Sequence, residues 1–155
     1  ELNLVRPFTY SHSDSVSNYS HFNQPMAHPL GANFAEFIGI VRYQPHPKWT
    51  TSLRLIYWKQ GIDSTGANTN YGSNIFKLNT YRPAGDYDYE IGSGISTKGV
   101  NAQILVSYEW KENLYIEIGG MFRKQSKPAG ISPSTDATIF TAGLRMNMFR
   151  REYDY

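Results

Sequence analysis

The constraint that most limits how this chain can fold is a period of two in its apolar side chains, carried by several strand-length segments. In residues 98–111, Val100, Ala102, Ile104, Val106, Tyr108 and Trp110 fall on one face, and Asn101, Gln103, Ser107 and Glu109 on the other. Successive side chains of a strand point to opposite faces, so this alternation describes a wall with one apolar and one polar side. Residues 114–123 repeat it, with Leu114, Ile116, Ile118 and Phe122 opposing Tyr115, Glu117 and Arg123. Residues 140–148 set Phe140, Ala142, Leu144, Met146 and Met148 against Thr141, Arg145 and Asn147. In residues 49–60 the outward set is Trp49, Thr51, Leu53, Leu55 and Tyr57, with Thr50, Ser52 and Arg54 inward and Ile56 and Trp58 harder to place. Two segments fit less well. In residues 33–43, Ala35, Phe37, Val41 and Tyr43 read as outward, which leaves Ile38 and Ile40 inside. In residues 2–10, Leu2, Leu4, Phe8 and Tyr10 share a face with Arg6, and Pro7 marks an edge or a bulge.

The connections between these segments are lopsided. Tiny turns at residues 45–48 and 111–113 alternate with long polar excursions at residues 11–32, 61–97 and 124–137. Short turns on one side and long loops on the other, joining strands of alternating pattern, are the pattern of a bacterial outer-membrane β-barrel. In that reading the short turns and the tail, residues 150–155, face the periplasm and the three long loops face outward. Aromatic placement agrees, because Trp and Tyr favour the headgroup zone. Tyr43, Trp49, Trp110 and Tyr115 flank the short turns, and Tyr10, Tyr57 and Trp58 lie near the opposite ends. A soluble barrel or sandwich also alternates and is the competing fold.

Composition narrows the choice. No apolar run reaches the ~20 residues of a spanning helix, and a mean hydropathy of -0.49 suits a barrel with a polar interior. Cysteine is absent, which removes disulfides and thiolate metal sites. A formal net charge of +2 without a basic run argues against nucleic acid as a partner. Six strands are fewer than the ~8 of the smallest single-chain membrane barrels. The expectation is therefore an all-β, antiparallel transmembrane β-barrel, of which residues 1–155 form a single segment of about six C-terminal strands of a larger up-and-down barrel.

The first long loop holds the most distinctive stretch, YSHFNQPMAHPLGANF at residues 19–34, punctuated by Pro25, Pro29 and Gly31 into rigid turns. Together with YGSNIF at residues 71–76 and the closing RREYDY, it resembles the C-terminal part of Bacteroidetes outer-membrane proteins of the RemB gliding-motility type and, more distantly, of the Wzi capsule-assembly type. The residues carrying this resemblance in the first loop are Asn23, Gln24, Pro25, His28, Pro29, Leu30 and Gly31. The resemblance implies a role at the cell surface, in gliding and adhesin handling or in holding surface polysaccharide, and it supplies no catalytic residues.

Candidate chemistry is concentrated in the loops. Ser11, His12, Ser13, Asp14, Ser15 and His21 contain the residue types of acyl transfer, but crowding in sequence does not establish a nucleophile within reach of an oriented base, and no G-x-S-x-G elbow is present. His12, His21 and His28 match no standard metal spacing, and Asp86, Asp88 and Glu90 lack the full acidic spacing of a calcium loop. Tyr71, Tyr81, Arg82, Tyr87 and Tyr89, set among Asn68, Asn70, Asn74 and Asn79, form a more plausible ligand-binding surface for sugars or protein, with a self-packed cap as the alternative. Inside, Arg54, Arg123 and Arg145 with Glu109 and Glu117 are expected to pair across the lumen.

The sequence thus predicts a non-enzymatic outer-membrane component of cell-surface organisation, without cofactor or metal. Its expected partners are outer-membrane lipid, other outer-membrane or secretion and motility proteins, and surface polysaccharide. A porin or transport channel is the alternative, and a barrel hydrolase a more remote one.

Overall fold

In a computed structural model of the chain, residues 1–63, 69–83, 85, 87–126 and 134–147 are described. They form an all-β protein without an α-helix. The elements are β1 (Leu2–Val5), β2 (Ser20–His21), β3 (Gln24–Pro25), β4 (Phe34–His46), β5 (Trp49–Ile62), β6 (Ile95–Lys111), β7 (Leu114–Ser126) and β8 (Thr135–Met146). Six of them make one antiparallel sheet in the order β1-β4-β5-β6-β7-β8, while β2 and β3 pair in a separate small hairpin. The sheet is open, with β1 and β8 at its edges. No helix among the described residues is long and apolar enough to cross a membrane, which says nothing of crossing by strands.

Register converts the alternation within each strand into two continuous faces, because directly opposed residues share a side. One row runs Val41, Leu53, Ile104, Gly120, Phe140, and the next Tyr43, Thr51, Val106, Ile118, Ala142. Leu2 and Leu4 join the same face opposite Phe37 and Ala35. The paired residues of the outward sets expected for β4 to β8, as far as Met146, are therefore in phase across the sheet, joined by Leu2 and Leu4 of β1. This face is bare: Phe140 is 84% exposed, Leu144 71% and Ile118 63%.

The opposite face is less uniformly polar than strict alternation predicts. Its rows run Glu36, Trp58, Gly99, Gln125; then Ile38, Ile56, Asn101, Arg123; then Ile40, Arg54, Gln103, Met121, Ile139. Ile56 and Trp58, which resist assignment from sequence, belong to this inner face. Near the short turns the face becomes polar, with Glu117 opposite Ser107 and Arg145 opposite Tyr115.

Both short turns have local causes. Between β4 and β5 a bulge after Tyr43 accommodates Gln44 and Pro45; Gln44 Nε2 donates to the Pro47 carbonyl (3.1 Å), and the Lys48 amide donates to His46 Nδ1 (3.2 Å). Between β6 and β7 Asn113 takes φ 62°, a left-handed conformation that asparagine tolerates, next to a register shift after Glu109.

Several boundaries differ from the sequence expectation. The sheet strands reach further into the long loops, to Ile62, back to Ile95, on to Ser126 and back to Thr135, because ladder hydrogen bonds continue past the last apolar repeat. The first strand is shorter. It stops at Val5, and Phe8, at φ 62°, turns away so that its amide bonds to the Gly72 carbonyl (3.2 Å). The tail at 150–155, with Met148, and residues 127–133 of the third loop lie outside the described residues, as do Asn68 and Asp86.

The interior of the molecule lies at the long-loop end. Its buried apolar residues are Ala32, Phe34 and Ile75, accompanied by the buried polar residues Asn18, Asn33, Glu36, Gln60, Asn70, Ser73 and Thr97. The first and second long loops fold onto each other and onto the ends of β4, β5 and β6, forming a cap.

Candidate functional site

The cap is organised by Asn33, which is fully buried. Its φ of 59° turns the chain from the first loop into β4, and its side-chain amide nitrogen donates to the carbonyls of Gly61 (2.9 Å), Tyr71 (3.1 Å) and Ser93 (2.9 Å). Its side-chain oxygen accepts from the Gly92 amide (2.7 Å). One amide thereby ties together the start of β4, the end of β5 and both ends of the second loop. Gln60 acts beside it, donating to the carbonyls of Leu30 and Ala32, while its own carbonyl accepts from Thr97 Oγ1 (3.1 Å). Asn70 bonds to the carbonyls of Lys77 and Leu78 and receives the Gly72 amide. Asp63 pairs with Lys77 (2.9 Å) and accepts the Tyr71 amide (2.7 Å).

The two distinctive loop sequences meet in this cap. The Ala32 amide donates to the Ser73 carbonyl (3.3 Å), and Gly31, at φ 72°, lies so close to that carbonyl and to Ile75 that a Cβ there would collide with the carbonyl oxygen. Pro29 and Leu30 line the inner face of the cap, and His28 bonds to Glu36 (3.0 Å) and stacks on Phe34 (ring centroids 4.4 Å). Asn3 holds the same Glu36 carboxylate (3.0 Å). Asn23, Gln24 and Pro25 sit elsewhere, at the tip and returning strand of the β2–β3 hairpin, where Phe22 and Asn23 both adopt positive φ.

Of the tyrosine surface, the structure brings together Arg82, Tyr87 and Tyr89. With Arg6 and Phe8 they line a cleft of about 430 Å³, where the Arg82 guanidinium stands over the Phe8 ring (4.4 Å) and Tyr89 meets that ring edge-on (5.0 Å). Tyr71 is separate and structural. Its backbone is gripped by Asn33 and Asp63, and its ring packs where Gly94 has no side chain. Tyr81, in a short turn of 3-10 helix, is exposed, and its carbonyl accepts the Asn70 amide (2.9 Å). Arg6 and Phe8, both expected on the first strand, are residues of this cleft that sequence periodicity misplaces.

The charged inner residues divide. Glu117 accepts from Arg145 Nε (2.8 Å) and Ser107 Oγ (2.9 Å), and Arg145 also lies over Tyr115 (4.2 Å to the ring centroid). Glu109 instead accepts the Asn113 amide in the turn. Arg54 and Arg123 have no ion pair among the described residues. A second cleft, of about 340 Å³, runs between the inner face and the first loop, bordered by His28, Trp58, Arg54 and Arg123.

Among the acyl-transfer candidates, Ser13 Oγ and His12 Nδ1 lie 3.4 Å apart, and the neighbouring side chains also bond the loop backbone. His12 Nδ1 receives the Asp14 amide (3.4 Å), and Asp14 Oδ1 receives the Val16 amide (3.1 Å), an Asx-type turn. His21 packs against Phe22 while His28 faces Glu36, so the three histidines have different neighbours. Among the described residues no three His, Asp or Glu side chains are grouped to hold a metal ion. Compared with protein-family models, curated proteins and solved structures, the chain matches none.

Proposed function

We propose that this chain is part of the wall of a bacterial outer-membrane β-barrel, with its long loops outside and its short turns in the periplasm. In this reading it is a non-enzymatic component of surface organisation, in gliding and adhesin handling or in holding surface polysaccharide. The observation that carries the reading is the continuous apolar face of the six-stranded sheet, exposed from Leu2 to Met146 and in register on every strand. An apolar surface of that extent is costly in water and favourable against lipid. The aromatic pair Trp49 and Tyr108, with ring centroids 4.7 Å apart, lies on this face near the short turns, where a headgroup belt belongs. The open sheet edges fit a barrel completed by further strands.

The folded cap supports a surface role over free diffusion through a wide pore, since two loops are tied down across one end. Two adjacent substitutions test the membrane assignment. Ile104→Arg places a charge on the apolar face and is expected to abolish insertion, at about 2–4 kcal/mol near the bilayer centre. Gln103→Arg, one residue away on the inner face, is expected to insert normally. Equal insertion of both, read by heat-modifiable gel mobility in membrane extracts, contradicts the assignment. Shortening the second loop is expected to remove motility or capsule retention with solute permeability unchanged; conductance without either phenotype favours a porin.

A further inference from the structure

We infer that the cleft between the inner sheet face and the first loop binds an anionic sugar, with its carboxylate held by Arg54 and Arg123 and its ring beside Trp58. The two arginines are on the strands either side of β6, opposite Gln103 and Asn101 respectively. Two intervening strand spacings separate their backbones by about 10 Å across the sheet and two residues by about 7 Å along it. Extended arginine side chains span that gap, so one anion between them reaches both guanidiniums. Both are exposed, and neither has a carboxylate or hydrogen-bond partner among the described residues. Glu36 lines the same cleft, where its carboxylate is held by His28 and Asn3 and forms no ion pair with either arginine.

Trp58 supplies the second element. Its indole lies across Gly99, where any Cβ would collide with the ring, so the bare strand leaves room for the ring beside the cleft. A fixed aromatic plane, paired guanidiniums and the amides of Asn101 and Gln125 together fit a ring that carries both hydroxyls and a carboxylate. The site stands apart from the exposed Tyr87 cleft and does not depend on membrane location.

The test is calorimetric titration of the full chain, purified in detergent, with D-glucuronate, D-glucose and acetate. Saturable glucuronate binding is expected, with glucose and acetate at least about ten-fold weaker. Arg54→Gln and Arg123→Gln should each weaken glucuronate about ten-fold or more, Arg54→Lys less, and Lys98→Gln, on the opposite face, not at all. Circular dichroism of each variant separates lost binding from lost fold. No saturable binding to the wild-type chain, acetate as tight as glucuronate, or indifference to both glutamine variants overturns the inference. Because insertion is read separately by the residue 103 and 104 variants, failure of the membrane assignment is distinguishable from failure of this site.

Discussion

Asn33 shows how a single side chain can define a loop architecture. A buried amide with all of its near donors and acceptors matched contributes modestly in net terms, but removing it strands its partners. Asn33→Ala would leave the Gly61, Tyr71 and Ser93 carbonyls and the Gly92 amide without this partner and would place a Cβ-bearing residue less tolerant than asparagine at positive φ. The expected cost is about 3 kcal/mol, measured by denaturant unfolding. Asn33→Asp keeps the shape and the acceptor but loses both amide protons, so it should be destabilising by a similar amount; a loss below about 0.5 kcal/mol for both variants contradicts this role. Asn33 lies within the distinctive stretch of residues 19–34, but nothing local there marks its role. Its partners are 28 to 60 residues away, and only the fold brings them together.

At the level of elements, the strands were legible and the cap was not. The two-residue period depends on nearest neighbours alone, so the outward sets of β4 to β8 could be read strand by strand, and register then aligned them. Where a strand leaves the sheet, periodicity misleads: Phe8 and Tyr10 continue the pattern of Leu2 and Leu4 yet belong to the cap, Tyr10 stacking on Tyr19 at 5.7 Å. The candidate tyrosines were only half grouped by sequence proximity, since Tyr71 holds the cap while Arg82, Tyr87 and Tyr89 gather around Phe8. The cap also depends on bare backbone at Gly61, where a Cβ would fall on the Ser93 carbonyl oxygen and 2.6 Å from Asn33 Nδ2. Gly61→Ala is expected to cost about 1–3 kcal/mol and to open the second loop to limited proteolysis, with far-ultraviolet circular dichroism of the sheet retained. A variant as protease-resistant as the parent would show that the loops are held by other contacts.

Across the whole molecule, the sheet has two unlike faces and the cap packs against its long-loop end. One side is apolar and exposed; the other carries the Glu117–Arg145–Ser107 network and the arginine-lined cleft beneath His28. In the proposed barrel the first side faces lipid and the second the interior, and the absence of native cysteine makes that division directly measurable. Single cysteines placed from residue 100 to 108 and spin-labelled in the membrane-inserted protein would be compared for relaxation by oxygen and by a water-soluble nickel chelate. The account predicts high oxygen access at Val100, Ala102, Ile104, Val106 and Tyr108, low access at Asn101, Gln103, Leu105 and Ser107, and a strict period of two between them. Uniform access to the water-soluble reagent along the whole of β6, with no alternation, would contradict the claim that this sheet is a membrane wall.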